Sequence, residues 1–247
     1  MKKMRINKFF TEQGCCSRRA ADRLIEEGRV LINGHKAVLG EQIEDNDVVL
    51  VDGRVVDRAN RTVYVAYHKP IGVTCTTESD VAGNIIEAVD YPERIFPIGR
   101  LDKDSSGLIL LTNNGDIVNR ILRAEFGHER EYLVTVNCPF STPFLLRLQR
   151  GVPVLGKHTA PCRAIEVDPT SFRLILTEGR NRQIRRMCSA LGFRVVRLVR
   201  TRIMHIMLGK LSVGTWRHLS EQERDRLLVA VGLTEEGSRP DTHSRTA

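Results

Sequence analysis

The chain has 247 residues, 41% of them hydrophobic and 28% charged, too apolar for a disordered chain and long enough to bury a core without disulfide or metal staples. No apolar run approaches the roughly 20 residues that a membrane-spanning helix needs, and Met1-Lys2-Lys3-Met4-Arg5 leads into no apolar signal core, so a cytoplasmic protein is expected. Lysine and arginine number 38 against 30 acids, a net charge of +8, and a field of that sign favours polyanions.

The charge is uneven along the chain. Residues 1–40 are basic, residues 41–60 are acidic, and residues 171–220 carry many arginines against a single acid, Glu178. Within the first fifty residues, Ile6, Phe9 and Phe10 have helical spacing and Gly14 stops that helix. Ser17 is a good N-cap for a second helix running to about Glu27, with Ala20, Ala21, Leu24 and Ile25 as its inner face. Val30-Leu31-Ile32 reads as a strand, Asn33-Gly34 as a hairpin turn, and Val48–Val51 as a later strand. Arg18, Arg19 and Arg23 project from the second helix. Arg19 and Arg23, four apart, share a face; set in a basic segment, these arginines suit phosphate contact better than idle solvation.

A polar stretch, 58–62, reads as a linker between a small unit (residues 1–57) and a larger one (63–232), and a polar tail, 233–247, is expected to be disordered. In the larger unit, β-rich segments fall at Val63–His68, Gly107–Thr112, Tyr132–Val136, Phe172–Thr177 and Arg194–Leu198. Helical patterns fall at Asp116–Arg123, Pro143–Gln149, Arg182–Leu191 and Glu221–Val231. They interleave without a strict βαβ rhythm. The fold class predicted is therefore α+β, with a mixed, mostly antiparallel central sheet flanked by helices. Six scattered cysteines show no pair separated by two residues, and the histidines show no HExxH pattern. Idle or buried thiols and no metal site are expected.

Four segments could carry chemistry. In Gly99-Arg100-Leu101-Asp102-Lys103-Asp104-Ser105-Ser106-Gly107 a polar turn precedes an apolar strand and packs four charged side chains into five positions. A carboxylate held beside cations stays ionised, as a nucleophile or electrostatic stabiliser must, yet spacing alone favours a charged turn that merely caps a strand. In Gly179-Arg180-Asn181-Arg182-Gln183-Ile184-Arg185-Arg186 a strand enters a helix with four arginines in seven residues. Arg182, Arg185 and Arg186 are spaced to share one helical face, without nearby acids, and guanidinium forks suit phosphate. Lys69-Pro70-Ile71-Gly72 ends a strand in a turn, and Tyr132 lies in a strand that follows Glu129-Arg130-Glu131. Taken alone, the last two read as an ordinary turn and a core aromatic.

Together these segments resemble the bacterial pseudouridine synthases, placed here in the ribosomal small-subunit type A group and nearest the large-subunit synthase F type. The likeness runs from about Met4 to Leu228. It rests on Lys69-Pro70-x-Gly72, on Gly99-Arg100-Leu101-Asp102-x-x-Ser105-x-Gly107-Leu108, and on Gly179-x-x-Arg182-Gln183-Ile184-Arg185-Arg186-Met187; His128–Val136 and Arg200–Met204 point to the F type. Lys8-Phe9-Phe10, Ser17–Ala21 and Val30–Gly34 resemble an S4 RNA-binding module. His68 departs from the pattern, which has Asn before Lys-Pro.

The resemblance implies isomerisation of one uridine in 23S ribosomal RNA to pseudouridine, by a cofactor-free monomer that flips the base. Transfer RNA is a further partner to consider, and a non-catalytic S4-type ribosome-assembly factor is the alternative. It implies Asp102 as the essential aspartate, Arg185 as its ion-pair partner, and Tyr132 as the ring stacking on the target base. Arg100 would fill the space left by the base or hold the RNA. Lys69, Arg180, Arg182 and Arg186 would join Arg18, Arg19 and Arg23 in RNA binding.

Overall fold

The computed structural model describes residues 3–44, 46–56, 62–78, 80–122 and 127–233. Of the expected linker only Thr62 falls within them, and the expected tail lies outside them from residue 234 on.

The N-terminal unit starts with β1 (Met4–Arg5), α1 (Ile6–Glu12) and α2 (Arg18–Glu26). Ser17 caps α2 as its sequence suggests, its Oγ accepting from the Ala20 N–H at 3.2 Å. Then come β2 (Val30–Ile32), β3 (His35–Lys36), β4 (Gln42–Ile43), β5 (Val49–Val51) and β6 (Arg54–Val55). The β2–β3 hairpin turns through Asn33 and Gly34, both at positive φ (49° and 89°), the conformation that an Asn-Gly pair tolerates best. Strands pair in the order β3-β2-β5-β6, and β1 pairs β4. Ile6, Phe10, Ala21, Ile25, Val30 and Ile32 close one small core between the two helices and the sheet. Lys8 Nζ meets Asp116 Oδ2 at 2.8 Å and so ties α1 to the larger unit.

The larger unit contains β7 (Tyr64–Lys69), α3 (Ile85–Val89), β8 (Phe96–Ile98), β9 (Ser106–Thr112), α4 (Gly115–Leu122), β10 (Arg130–Val136) and α5 (Thr142–Arg150). It continues with β11 (Pro153–Val154), β12 (Lys157–His158), β13 (Arg163–Asp168), β14 (Ser171–Leu176), α6 (Gln183–Ala190), β15 (Val195–Ile203), β16 (Ile206–Met207), β17 (Trp216–His218) and α7 (Glu221–Ala230). Its main sheet runs β13-β14-β10-β15-β9-β7-β17, with β8 on β9 and β16 on β15. Its pairings are antiparallel except β9 with β15. This is the α+β class with the mixed, mostly antiparallel sheet that the sequence predicts.

β9 sits mid-sheet. Leu108 and Leu110 pack with Ile117, Ile121 and Leu227 on one face; Ile109 and Leu111 pack with Val65, Tyr67 and Ile85 on the other. Burial on both faces is why its sequence is a continuous apolar run rather than an alternation. A third cluster joins α5 and α6 to β10 and β14 through Val134, Phe144, Leu148, Phe172 and Met187. β15 runs on to Ile203, past the expected end at Leu198, because its pairing with β10 continues past Arg200 and Arg202, which interrupt its apolar pattern. The short α3, β8 and β17 went unpredicted. α3 is set by Asn84, whose side chain accepts from the Ile86 and Glu87 N–H groups. Among the described residues no helix is long and apolar enough to cross a membrane.

Candidate active site

The turn between β8 and β9 is anchored from beneath. Leu101 and Ser105 are buried, and the Ser105 N–H closes the turn on Asp102 O at 3.0 Å. The Gly72 N–H donates to Lys103 O at 2.8 Å, so the Lys69-Pro70-x-Gly72 turn props the Asp102 turn. Gly107 stands where β15 passes closest. Its φ is 113°, and a Cβ there would lie 2.4 Å from both N and O of Arg200. A side chain at that position would push β15 off β9, which accounts for a glycine at the end of the segment.

Above this turn lies a cleft of about 450 Å³, within the range of small-ligand sites. Four stretches of chain supply most of its lining: the Gly99–Ser105 turn, β10 through Arg130 and Tyr132, the Glu178–Arg185 approach to α6, and β15 through Leu198 and Arg200, with Leu122 and Leu176 beside them. The Asp102 side chain is 33% exposed within it. Tyr132 is half-buried and packs between two core clusters. Six arginines (100, 130, 180, 182, 185 and 200) line the cleft against Asp102 and Glu178. Such a wall concentrates anions.

Two expected roles need correction. Arg185 does not pair with Asp102. Its Nε lies 3.3 Å from Asp104 Oδ2, and its Nη2 donates to Asp104 O at 2.9 Å and to Ser105 Oγ at 3.3 Å. The cation that reaches Asp102 is Arg182, with Nη1 3.8 Å from Asp102 Oδ2 while the same guanidinium grips Asp104 bidentately at 3.1 and 2.9 Å. The reason is local. Arg182 is not on the helical face with Arg185 and Arg186; it is the N-cap of α6, held at φ 50°, so its side chain swings over the rim. Lys69 is the second correction. It is fully buried, its Nζ donating to Pro70 O at 2.8 Å, and it is closed to RNA. Burial pushes its ammonium pKa down, against the opposing pull of Cys75, Asp104 and Asp102.

The other expected residues divide. Arg100 is exposed and lines the cleft. Arg180 lines it but is tied to Glu178 at 3.2 Å and to His158 O at 2.7 Å. Arg186 does not line it; its Nη2 donates to Asn181 Oδ1 at 2.9 Å. Arg18, Arg19 and Arg23 are exposed on α2. The Arg182 guanidinium, bonded to Asp104, holds that carboxyl below the usual carboxylate range. The lack of acids read from the arginine-rich segment is thus made good by Asp104, 78 residues away in sequence.

Sequence reasoning gave no role to Arg130 and Arg200, which are 8% and 3% exposed. The one available signal was the placing of arginines inside strands otherwise built for burial. A bulge sorts them: Glu131 pairs Arg202, but the next residue, Tyr132, pairs Arg200, which leaves Thr201 unmatched. Arg202 therefore turns to Glu129 and Glu131, at 2.9 and 3.7 Å, while Arg200 joins Tyr132 at the cleft.

A family model described as RNA pseudouridylate synthase matches residues 63–190, and an S4 domain model matches residues 4–49. A "Dual-specificity RNA pseudouridine synthase RluF" of Salmonella typhi is 46% identical over 243 residues, spanning 98% of this chain and 84% of the relative. The protein of that name in Escherichia coli (strain K12) is 48% identical over 222 residues, 89% and 77% of the two chains. A "Ribosomal large subunit pseudouridine synthase B" of Bacillus subtilis is 35% identical over 232 residues, 90% and 95% of the two. A solved structure titled "Crystal structure of pseudouridylate synthase" aligns with a TM-score of 0.67 at 30% identity, covering 91% of this chain and 99% of that one. These relatives agree with the F-type likeness; they give no support to a small-subunit type A grouping.

Proposed function

The chain belongs to the RNA pseudouridine synthase family and carries an S4 RNA-binding domain, and from that premise we propose that it isomerises a specific uridine of 23S ribosomal RNA, as a cytoplasmic monomer, with transfer RNA as a second substrate. The "dual-specificity" and "large subunit" in the relatives' names support this choice of substrates. The overall conversion breaks the uridine N1–C1′ bond and joins C5 to C1′; one proton leaves C5 and one is taken up at N1. Nothing is oxidised or reduced, so the chemistry calls for no redox partner.

The observation that carries the reading is the Asp102 carboxylate, open to a cleft of about 450 Å³ with Arg182 3.8 Å away and Tyr132 in the wall. A base inside a helix is out of reach, so the uridine must be flipped, at a cost of about a few kcal/mol. Positive charge that develops at C1′ then meets a fixed carboxylate. In this reading Asp102 faces the reacting sugar and base, Tyr132 is the surface on which the ring stacks, and Arg182 orients Asp102. Arg185 braces the turn through Asp104 and Ser105. Arg100 at the mouth fills the gap in the helix or holds the RNA. Residues 1–57 grip RNA phosphates through Arg18, Arg19 and Arg23, while residues 63–232 do the chemistry. A purely RNA-binding protein has no use for this convergence.

The test is to incubate the protein with ribosomal RNA that lacks the modification and to map pseudouridine by chemical adduct stops. A new stop at one uridine of 23S RNA, absent with Asp102→Asn, is expected. No new stop from protein that binds the RNA overturns the reading.

A further inference from the structure

Of the six arginines that line the cleft, three are held by carboxylates: Arg182 and Arg185 by Asp104, and Arg180 by Glu178. Among the described residues Arg130 and Arg200 have no acidic partner, although they are the most deeply buried of the six. Arg200 spends Nε on Leu108 O at 2.7 Å and Nη1 on Arg100 O at 3.3 Å; its Nη2 is buried with no partner. Arg130 gives Nη2 to Ile121 O at 2.9 Å and lies close enough to Arg200 to feel its charge. Two adjacent buried guanidinium groups without a counter-charge are costly to keep, and a donor left over in a cleft wall points to a ligand that accepts from it.

The depth order says which part of a nucleotide that is. Arg100 and Arg182 are exposed, Asp102 is one-third exposed, and Arg130 and Arg200 are the most buried of the lining charges. A flipped nucleotide enters base first while its phosphates stay on the strand outside. The deepest groups therefore meet the ring. Resting on the pseudouridine synthase reading, we propose that Arg200, with Arg130 beside it, forms a cationic floor that donates from Nη2 to a uracil carbonyl oxygen and stabilises the charge the ring takes on when N1–C1′ breaks. In that step the bonding pair leaves with N1 and spreads over the ring carbonyls, while Asp102 faces the electron-poor C1′. When C5 bonds to C1′ the pair is returned, the C5 proton leaves, and N1 takes up a proton. A donor fixed before the reaction stabilises developing charge far more than one that must reorient as the charge appears. Arg200 is placed by the bulge at Thr201 and by Gly107, whose missing side chain admits the β15 backbone.

The experiment is single-turnover isomerisation of RNA whose target uridine carries oxygen, or sulfur at ring position 2 or 4, by wild type, Arg200→Met and Arg200→Lys. A fourth RNA carries a neutral methylphosphonate on the 5′ side of that uridine. Arg200→Met is expected to slow the step about 100-fold and to leave RNA affinity near the wild-type value. Wild type should be slowed by sulfur at one ring position, and that penalty should vanish in Arg200→Met and shrink in Arg200→Lys, which serves alone if the methionine variant does not fold. A merely structural brace would slow oxygen and sulfur substrates alike, so an undiminished sulfur penalty, or none in wild type, overturns the assignment. Coupling to the methylphosphonate instead gives Arg200 to a phosphate and overturns it too. Wild-type protein inactive on every uridine defeats the underlying function, a result distinct from either.

Discussion

The arginines of α2 and those around Asp104 are the same side chain in opposite surroundings. Arg18, Arg19 and Arg23 stand exposed on a nine-residue helix, free to follow a phosphate backbone wherever it lies. Arg182 and Arg185 are fixed by Asp104, Ser105 O-γ and the carbonyls of Asp104 and Val195. The contrast separates two uses of positive charge. Attraction of RNA needs exposure and tolerates motion; chemistry on one bond needs groups held in place before substrate arrives. Gripping and reacting should therefore be separable by mutation.

The sharpest separation is at Asp102. Asp102→Asn keeps the shape of the side chain and removes its charge. Turnover should fall by at least about 1,000-fold, while RNA affinity, measured by filter binding, stays within a few-fold of wild type. Activity retained by the variant would mean that the cleft works without a carboxylate, and the division between gripping and reacting would fail at its centre. Gly107→Ala tests the frame that holds this residue. A Cβ 2.4 Å from the Arg200 backbone, at φ 113°, should cost roughly 2–4 kcal/mol of stability, seen as a lower urea midpoint with RNA binding by α2 retained at permissive temperature. An unchanged midpoint would show that β9 and β15 can part without loss.

Much of this frame was legible in the sequence. Ser17, Asn33 and Gly34 act locally, and a cap or a tight turn depends on residues a few positions away. The apolar run Gly107–Thr112 marked a strand, and the Gly99–Gly107 segment stood out through its family likeness rather than its spacing. What stayed hidden depended on distance in sequence. Nothing near Arg182 foretells that it leaves the helix for a left-handed cap and meets Asp104, and so takes the place beside Asp102 expected of Arg185. The family likeness assigns Lys69 to RNA; the Lys103 carbonyl that receives Gly72 draws this turn beneath the signature segment, and Lys69 is buried with it. Arg200 differs from Arg202 only through a bulge, which no periodicity displays.

A smaller effect is expected where charge acts without fixed geometry. Replacing Arg18, Arg19 and Arg23 together by Gln should weaken RNA binding about 10- to 100-fold at moderate salt and flatten the slope of log affinity against log salt by about 2 to 3, since each lost phosphate contact contributes about 0.7–0.9. The single-turnover rate at saturating protein should be unchanged. A slope equal to wild type would place the RNA elsewhere and leave α2 as a solvated face. A lowered rate at saturation would show that the N-terminal unit also positions the uridine, in keeping with the Lys8–Asp116 contact that joins it to α4.

The smallest expected effect lies in the brace itself, and its sign is fixed by Asp104. The Arg182 guanidinium holds that carboxyl below its ordinary value of 3.8 in the folded protein, so the folded state favours the ionised form. The stabilisation is complete above about pH 4 to 5 and drains away as pH falls through the lowered folded value. Its side chain is 46% exposed, and solvent screening limits the contribution to about 1 kcal/mol or less. Wild type should therefore exceed Asp104→Asn in urea midpoint at pH 7, and the gap should close as pH falls through the lowered folded value, where the Asp104 charge is lost. A gap that persists at low pH would mean that the fork–carboxylate geometry contributes packing rather than charge. A gap absent at pH 7 but paired with a several-fold loss of turnover would mean that Asp104 serves the position of Arg182 over Asp102 and adds nothing to the fold.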